Sequence, residues 1–317
     1  MDNTRKITIV CWAISTLALL GLAIWFIVGF HGATSRSMFR FDTGMFDVVG
    51  SHSVPVQNVD TISIDWISGA VYVGAYSGDT IQITEFARHS LRDGEQLSYN
   101  INNGVLEIRF SENRIIRGNA PTKQLEILIP YALSQDLNMF DVNNVAGRSI
   151  VSDIHADALA ITTVSGRVEL SNSSANSVEV ATMSGRIELS NVEASDIGLQ
   201  TVSGNIRTVT THAQSIITDT ISGRHELGGS FHDVVARSTS GRVEIESRIV
   251  PERIDARTSS GRIEIRVPSG EVAIGVMHST GSGRFSSQIP VTTHAGADAQ
   301  FNLSTGSGRI GIYELLR

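Results

Sequence analysis

A short phrase recurs along this chain at nearly constant spacing, and the recurrence restricts the fold more than any other feature. Thr163-Val164-Ser165-Gly166-Arg167-Val168-Glu169-Leu170 returns as Thr182-Met183-Ser184-Gly185-Arg186-Ile187-Glu188-Leu189. Variants of it surround Gly204, Gly223, Gly241, Gly261, Gly283 and Gly308. From Gly147 onward the successive steps between these glycines are 19, 19, 19, 19, 18, 20, 22 and 25 residues. A period of this size marks a solenoid, in which each unit buries its apolar side only by stacking on the next.

The alternation inside each unit separates strand from helix. Val168 and Leu170, Ile187 and Leu189, Val243 and Ile245, and Ile263 and Ile265 are each split by one charged residue. That is period two, the period of a strand. A second alternating pair, such as Val178 and Val180 or Ile197 and Leu199, fills the other half of the unit. Each unit therefore reads as two short strands and two turns, one coil of a β-solenoid, pairing with its neighbours at about 4.8 Å. Gly166, Gly185, Gly204, Gly223, Gly241 and Gly261 are read as structural corners. The expected reason is a turn that needs positive φ, with the adjacent Ser and Thr bonding backbone groups left free by the bend.

If the apolar residues point inward, the Arg-x-Glu after each corner points out. Arg167, Arg186, Arg224, Arg242 and Arg262 then form one column, continued by Arg284 and Arg309. Glu169, Glu188, Glu226, Glu244 and Glu264 form a second, with diagonal attraction between columns offsetting repulsion within each. This face is either a solvated, self-compensating surface or a regular binding face for an anionic envelope polymer. Asn205 and Arg207 interrupt the pattern in the third coil.

Residues 7–30 contain no charge, and at 24 residues this run exceeds the roughly 20 needed to cross a bilayer core. It is also longer than the apolar part of a cleaved signal peptide. The expected organisation is a cytoplasmic tail at 1–6, a transmembrane helix at 7–30 and a linker at 31–53. An irregular β-rich leader follows at 54–146, then solenoid repeats at 147–317. Arg5 and Lys6 precede the helix, which places the β-rich part outside the cell membrane. The apolar residues of the linker, Met38, Phe39, Phe41, Met45 and Phe46, suit either the membrane surface or the underside of the first coil. The leader is expected to be an antiparallel cap over a strand edge that would otherwise invite aggregation, with a hairpin at Asn102-Asn103-Gly104. The C-terminal residues read as a final strand. The overall class is all-β: a β-solenoid of about 19-residue coils with an irregular N-terminal cap, preceded by one membrane helix.

Little in the chain points to chemistry. The net charge of −7 disfavours nucleic acid as a partner, and the single cysteine, Cys11, excludes an intrachain disulfide. Motifs for zinc proteases, nucleophile elbows and phosphate loops are missing from the sequence. The aspartates fall at differing offsets from the corners, so no catalytic grouping is indicated. His212 and His232 could be neighbours on adjacent coils, but two histidines do not make a metal site. His225 takes an inward position as a core or edge residue. Asn172 and Asn302 sit in short sequons. No catalytic residue, metal or cofactor is expected.

The repeated Ser-Gly-Arg-[Val/Ile]-Glu-[Leu/Ile], the Ile67-Ser68-Gly69-Ala70-Val71-Tyr72-Val73 of the leader and the N-terminal anchor resemble the bacterial putative-adhesin family of β-strand-repeat proteins. They are similar to the toastrack-like ectodomains of envelope-stress proteins, which are domains of unknown function. The resemblance covers roughly residues 54–317 and implies an all-β ectodomain displayed at the cell envelope. The function expected is non-catalytic binding or scaffolding there, toward an envelope protein or wall polymer. A self-associating polymer of the bactofilin type is the alternative, and a carbohydrate-active β-helix enzyme is a third reading.

Overall fold

The computed structural model describes residues 46–112, 120–270, 272–293 and 296–315. The anchor expected at 7–30 lies outside the described residues. Among those described, no helix is long and apolar enough to cross a membrane.

The leader contributes β1 (Asp47–Pro55), β2 (Thr61–Ser68), β3 (Val71–Tyr76), β4 (Thr80–Ala87), β5 (Ser98–Asn102), β6 (Val105–Arg109) and β7 (Lys123–Pro130). A single helical turn, α1 (Tyr131–Ser134), leads to β8 (Leu137–Ala146) and β9 (Ser149–Ser152). Only part of the leader is the antiparallel cap expected from sequence. β1 with β4, β4 with β7, and β5 with β6 are antiparallel. However, β2 lies parallel to β8, and β3 lies parallel to β9. The cause is the Ser68-Gly69 corner between β2 and β3, which repeats the later corners and builds a true first coil.

The coils continue with β10 (His155–Ser165), β11 (Val168–Ser184), β12 (Ile187–Ser203), β13 (Ile206–Ser222) and β14 (His225–Ser240). β15 (Val243–Ser247) and β16 (Arg253–Ser260) share the next coil. β17 (Ile263–Val267), β18 (Ile274–Ser287) and β19 (Ala299–Glu314) complete the stack. Neighbouring coils are parallel and in register, so Val168 faces Ile187, Ile187 faces Ile206, and Ile206 faces His225. Inward residues such as Val168, Val178, Ile187, Ile197, Ile245 and Ile254 are buried, and they belong to one continuous apolar core.

Each coil has a second tight bend, where Asp153, Asn172, Asn191 and Thr210 all adopt positive φ, between 48° and 61°. Asn and Asp tolerate this left-handed conformation better than most residues. Asn191 Nδ2 donates to Asn172 Oδ1 at 3.0 Å, linking two of these bends. In β14 the bend is one residue shorter, and the register shifts between Thr208 and Thr211. That deletion is the step of 18 seen in the repeat.

The distal end departs from chain order. β19 pairs with β16 and β17 on one side and with β18 on the other. The C-terminal strand is thus inserted into the stack, and β18 forms the last rung. The lengthened steps of 22 and 25 are the loops this excursion requires.

Candidate functional site

The corner glycines, each preceded by Ser except Gly147, which follows Ala146, stack into one column in the order Gly69, Gly147, Gly166, Gly185, Gly204, Gly223, Gly241, Gly261, Gly308 and Gly283. A Cβ on any of them after Gly69 would overlap the carbonyl oxygen of the glycine one rung earlier. Positive φ is found at Gly69, Gly147, Gly166, Gly261 and Gly308, whereas this steric exclusion applies along the whole column and is the more general reason the repeat demands glycine. Gly185, Gly204, Gly223 and Gly241 are not in the left-handed region at all. The expected side-chain bonds form at two corners, where Thr258 and Thr305 hydroxyls donate to the Gly241 and Gly261 carbonyls, while the backbone N–H groups are satisfied by the neighbouring coil. Gly185 N donates to Ser203 O, and Ile187 N donates to Asn205 O, each one coil on. The corner serines Ser184, Ser203 and Ser222 are therefore left exposed.

Beside the corner lies the charged face. The acidic column runs Glu169, Glu188, Arg207, Glu226, Glu244, Glu264 in direct register. Arg207 thus stands between two acids and lies 3.8 Å from Glu226. The main attraction is within a coil rather than diagonal. Arg167 meets Glu169 at 3.2 Å and Arg186 meets Glu188 at 3.1 Å. Arg224–Glu226 and Arg242–Glu244 are both at 2.8 Å, and Arg262–Glu264 is at 2.9 Å. Residues two apart on a strand share a face, so the Arg-x-Glu phrase pairs with itself. At the distal end Gly311 and Ser286 replace the acid. Arg309 and Arg284 stack there in register.

On the other side of the corner, Met183, Val202 and Ile221 follow the buried Thr182, Thr201 and Thr220 of successive coils. Val202 is 42% exposed and Ile221 is 56% exposed. They line a groove of about 870 Å³ that crosses the coils from Thr182 to Gly306. Polar residues on the outer face of the return strands form its wall: Gln200, Asp219, Arg237 and Arg257 in consecutive register. Arg237 lies 3.9 Å from Asp219, and Arg257 makes two bonds of 2.7 and 2.9 Å to Asp255. Burial raises the Asp219 carboxyl, and Arg237 opposes that rise.

Toward the N-terminal end the same outer face is acidic. Burial, then the charge of Asp196, pushes Glu179 up to about 7. Burial, then Asp65, pushes Asp141 up to about 6, while bonds from Ser63 and Asn143 pull it back. The face is therefore graded, with carboxyls near the cap and arginines toward the distal end.

The histidines do not converge. His212 lies between Glu193 and Ser230. His232 is two residues farther along its strand and sits 3.6 Å from Glu252. His225 is fully buried between Ile206 and Val243, with Nδ1 2.8 Å from Thr218 Oγ1. Burial pushes its pKa down to about 4. Among the described residues, no group of three or more His, Cys, Asp or Glu could hold a metal ion.

Under the first coil lies a buried ion pair that sequence reasoning missed. Lys123 Nζ lies 2.6 Å from Glu85 Oε1, with both side chains almost completely buried. The ammonium also donates to the Glu95 and Phe110 carbonyls and sits 3.9 Å from the Phe110 ring centroid. Leu97 N donates to Glu85 at 3.1 Å. The Lys123 carbonyl occupies the space a Cβ on Gly69 would need, so this knot is the floor of the glycine column.

These features define a parallel β-solenoid with a mixed β cap and no described helix beyond one turn. The chain belongs to the Toastrack DUF4097 family, whose model matches residues 59–312. Two solved structures share the fold. A putative lipid binding protein from Parabacteroides distasonis is 12% identical with a TM-score of 0.50, covering 84% of this chain and 96% of its own. A putative adhesin from the same species is 14% identical with a TM-score of 0.51, covering 82% of this chain and 96% of its own. No curated protein matches the chain at a significant level.

Proposed function

We propose that this protein is a membrane-anchored, non-catalytic binding domain of the bacterial cell envelope. Its contact surface is the ridge where the groove meets the Arg/Glu ladder, and its partner is an elongated envelope protein or wall polymer. One observation carries the reading: a groove with half-buried Met183 and exposed Val202 and Ile221 runs across successive coils beside repeated charges. A row of similar groups at about 4.8 Å spacing suits a partner that is itself extended. Exposed apolar residues in a continuous line, rimmed by polar ones, are a feature of interaction sites.

The groove, rather than the ladder, is assigned most of the binding energy. Arg167, Arg186, Arg224, Arg242 and Arg262 are each already paired with a glutamate, so a ligand must displace that glutamate to use them. The test is co-sedimentation of the full chain with isolated cell-wall sacculi, together with photo-crosslinking in whole cells. Val202→Glu/Ile221→Glu should abolish retention and crosslinks. Arg186→Glu/Arg242→Glu/Arg262→Glu should weaken them only modestly. Retention by both variants equal to that of the unaltered chain would remove the ridge as the contact surface.

A further inference from the structure

The last rung of the stack has a strand edge that nothing among the described residues covers. β18 pairs with β19 along one side, from Ile274 against Ala299 to Ser287 against Ile312. On its other side, Val276 N donates to Thr292 O, and Thr292 N donates to Ile274 O. No described strand or bridge continues past that point, so the edge from Met277 to Arg284 is open. Its residues are Met277-His278-Ser279-Thr280-Gly281-Ser282-Gly283-Arg284. Met277 is 61% exposed. The devices that usually blunt an edge, such as lysine, proline or a bulge, do not occur in this stretch.

The opposite end of the stack is built otherwise. Its outer strands are β1 and β5, both antiparallel to their neighbours. β1 carries a register shift between Val48 and Gly50 and ends on Pro55. β5 has only five residues. Neither presents a rung that matches β18, so head-to-tail stacking into a filament has no complementary surfaces. A strand edge with one kind of matching partner forms a closed, isologous contact.

We propose that two copies of this chain join through antiparallel pairing of their β18 edges, forming a twofold dimer that continues the stack through the junction. This deepens the binding role above by naming one partner, a second copy. Centred between Thr280 and Gly281, the pairing sets Met277 against Arg284, His278 against Gly283, and Ser279 against Ser282. The small residues near the centre allow close approach. The only charged residue, Arg284, meets Met277 rather than another arginine. Because the stacks meet at their distal ends, the two N-terminal caps lie at opposite poles.

The test measures the mass of the detergent-solubilised full chain by sedimentation across a concentration series. The unaltered chain should shift reversibly from monomer to dimer. Ser279→Lys/Ser282→Lys sets lysines against one another and should raise the dissociation constant at least tenfold. Ser51→Lys on β1 should leave it unchanged. In a Cys11→Ser background, Ser279→Cys/Ser282→Cys should give a covalent dimer on mild oxidation, a readout that does not depend on the lysine variant folding. A chain that stays monomeric and uncrosslinked at all concentrations overturns the proposal. So does a dimer that survives the lysine pair, open-ended polymers, or capture of the edge by a strand of another protein without self-pairing. Sacculus binding by the Ser279→Lys/Ser282→Lys chain is read separately, so loss of the dimer and loss of the ridge function are distinguishable.

Discussion

A single methyl group is enough to test the glycine column. At Gly185 a Cβ would overlap the Gly166 carbonyl, and the backbone there is tied to the next rung by Gly166 N donating to Ser184 O and Val168 N donating to Arg186 O, so neither side can yield cheaply. Gly185→Ala is expected to destabilise the fold by about 3 kcal/mol, the upper part of the range for overpacking. Gly270→Ala, where a Cβ would meet nothing within 4 Å, should be close to neutral; urea unfolding of both variants checks this. His225 gives a pH signature. Its pKa is about 4 in the fold against an ordinary 6.5. Between those values the unfolded chain binds a proton that the native chain does not. Its contribution is therefore present above pH 6.5 and is lost as pH falls toward 4, by up to about 1.4 kcal/mol per pH unit. Glu179 acts in the opposite sense. Raised from 4.5 to about 7, it favours the fold below pH 4.5, and that contribution is lost as pH rises through 7. Thermal midpoints measured from pH 4 to 8 should show His225→Val lifting the acid limb and Glu179→Gln flattening the decline toward pH 7.

At the scale of elements, the ladder and the buried knot should respond very differently to mutation. Arg186 is 45% exposed beside Glu188, and exposed pairs typically contribute about 0–1 kcal/mol. Arg186→Ala should therefore shift the thermal midpoint only slightly, whereas Lys123→Met leaves Glu85 buried without its cation. Removing one partner of a buried pair costs roughly 3–5 kcal/mol, so Lys123→Met should lower the midpoint by many degrees. The strands and the Ser-Gly corner were legible because period-two alternation and an unavoidable glycine are local signals. The second bend was equally present, as Asp153, Asn172, Asn191 and Thr210 at steps of 19. There the identity of the side chain varies, and Asn172 also fits a sequon, which obscured the spacing. The Lys123–Glu85 pair left no local trace, since its partners come from separate strands of the cap. The groove was hidden for a related reason. Val202 and Ile221 look like core residues until the bend that turns them outward is known.

Across the whole molecule, order along the chain and order in space coincide for most of the stack and then diverge. Nothing in the phrases around Gly283 and Gly308 says which should follow Gly261, because both carry Ser-Gly-Arg. Longer steps were the only trace. If the distal edges pair as proposed, full chain reconstituted into lipid vesicles should make the vesicles cluster, since the two caps of a dimer point apart. Light scattering would follow this, and Ser279→Lys/Ser282→Lys should abolish it. The insertion of β19 has a further consequence for how the protein comes into being. Rungs up to Gly261 can zip in the order in which they emerge during synthesis. β18 emerges next but must wait, because the strand it rests on arrives after it. A nascent chain halted at residue 298 therefore holds an orphan strand over an unfinished core, and brief protease exposure should trim it back to about residue 270. Completion of the tip is thus a checkpoint on chain length, which only a molecule translated through β19 can pass.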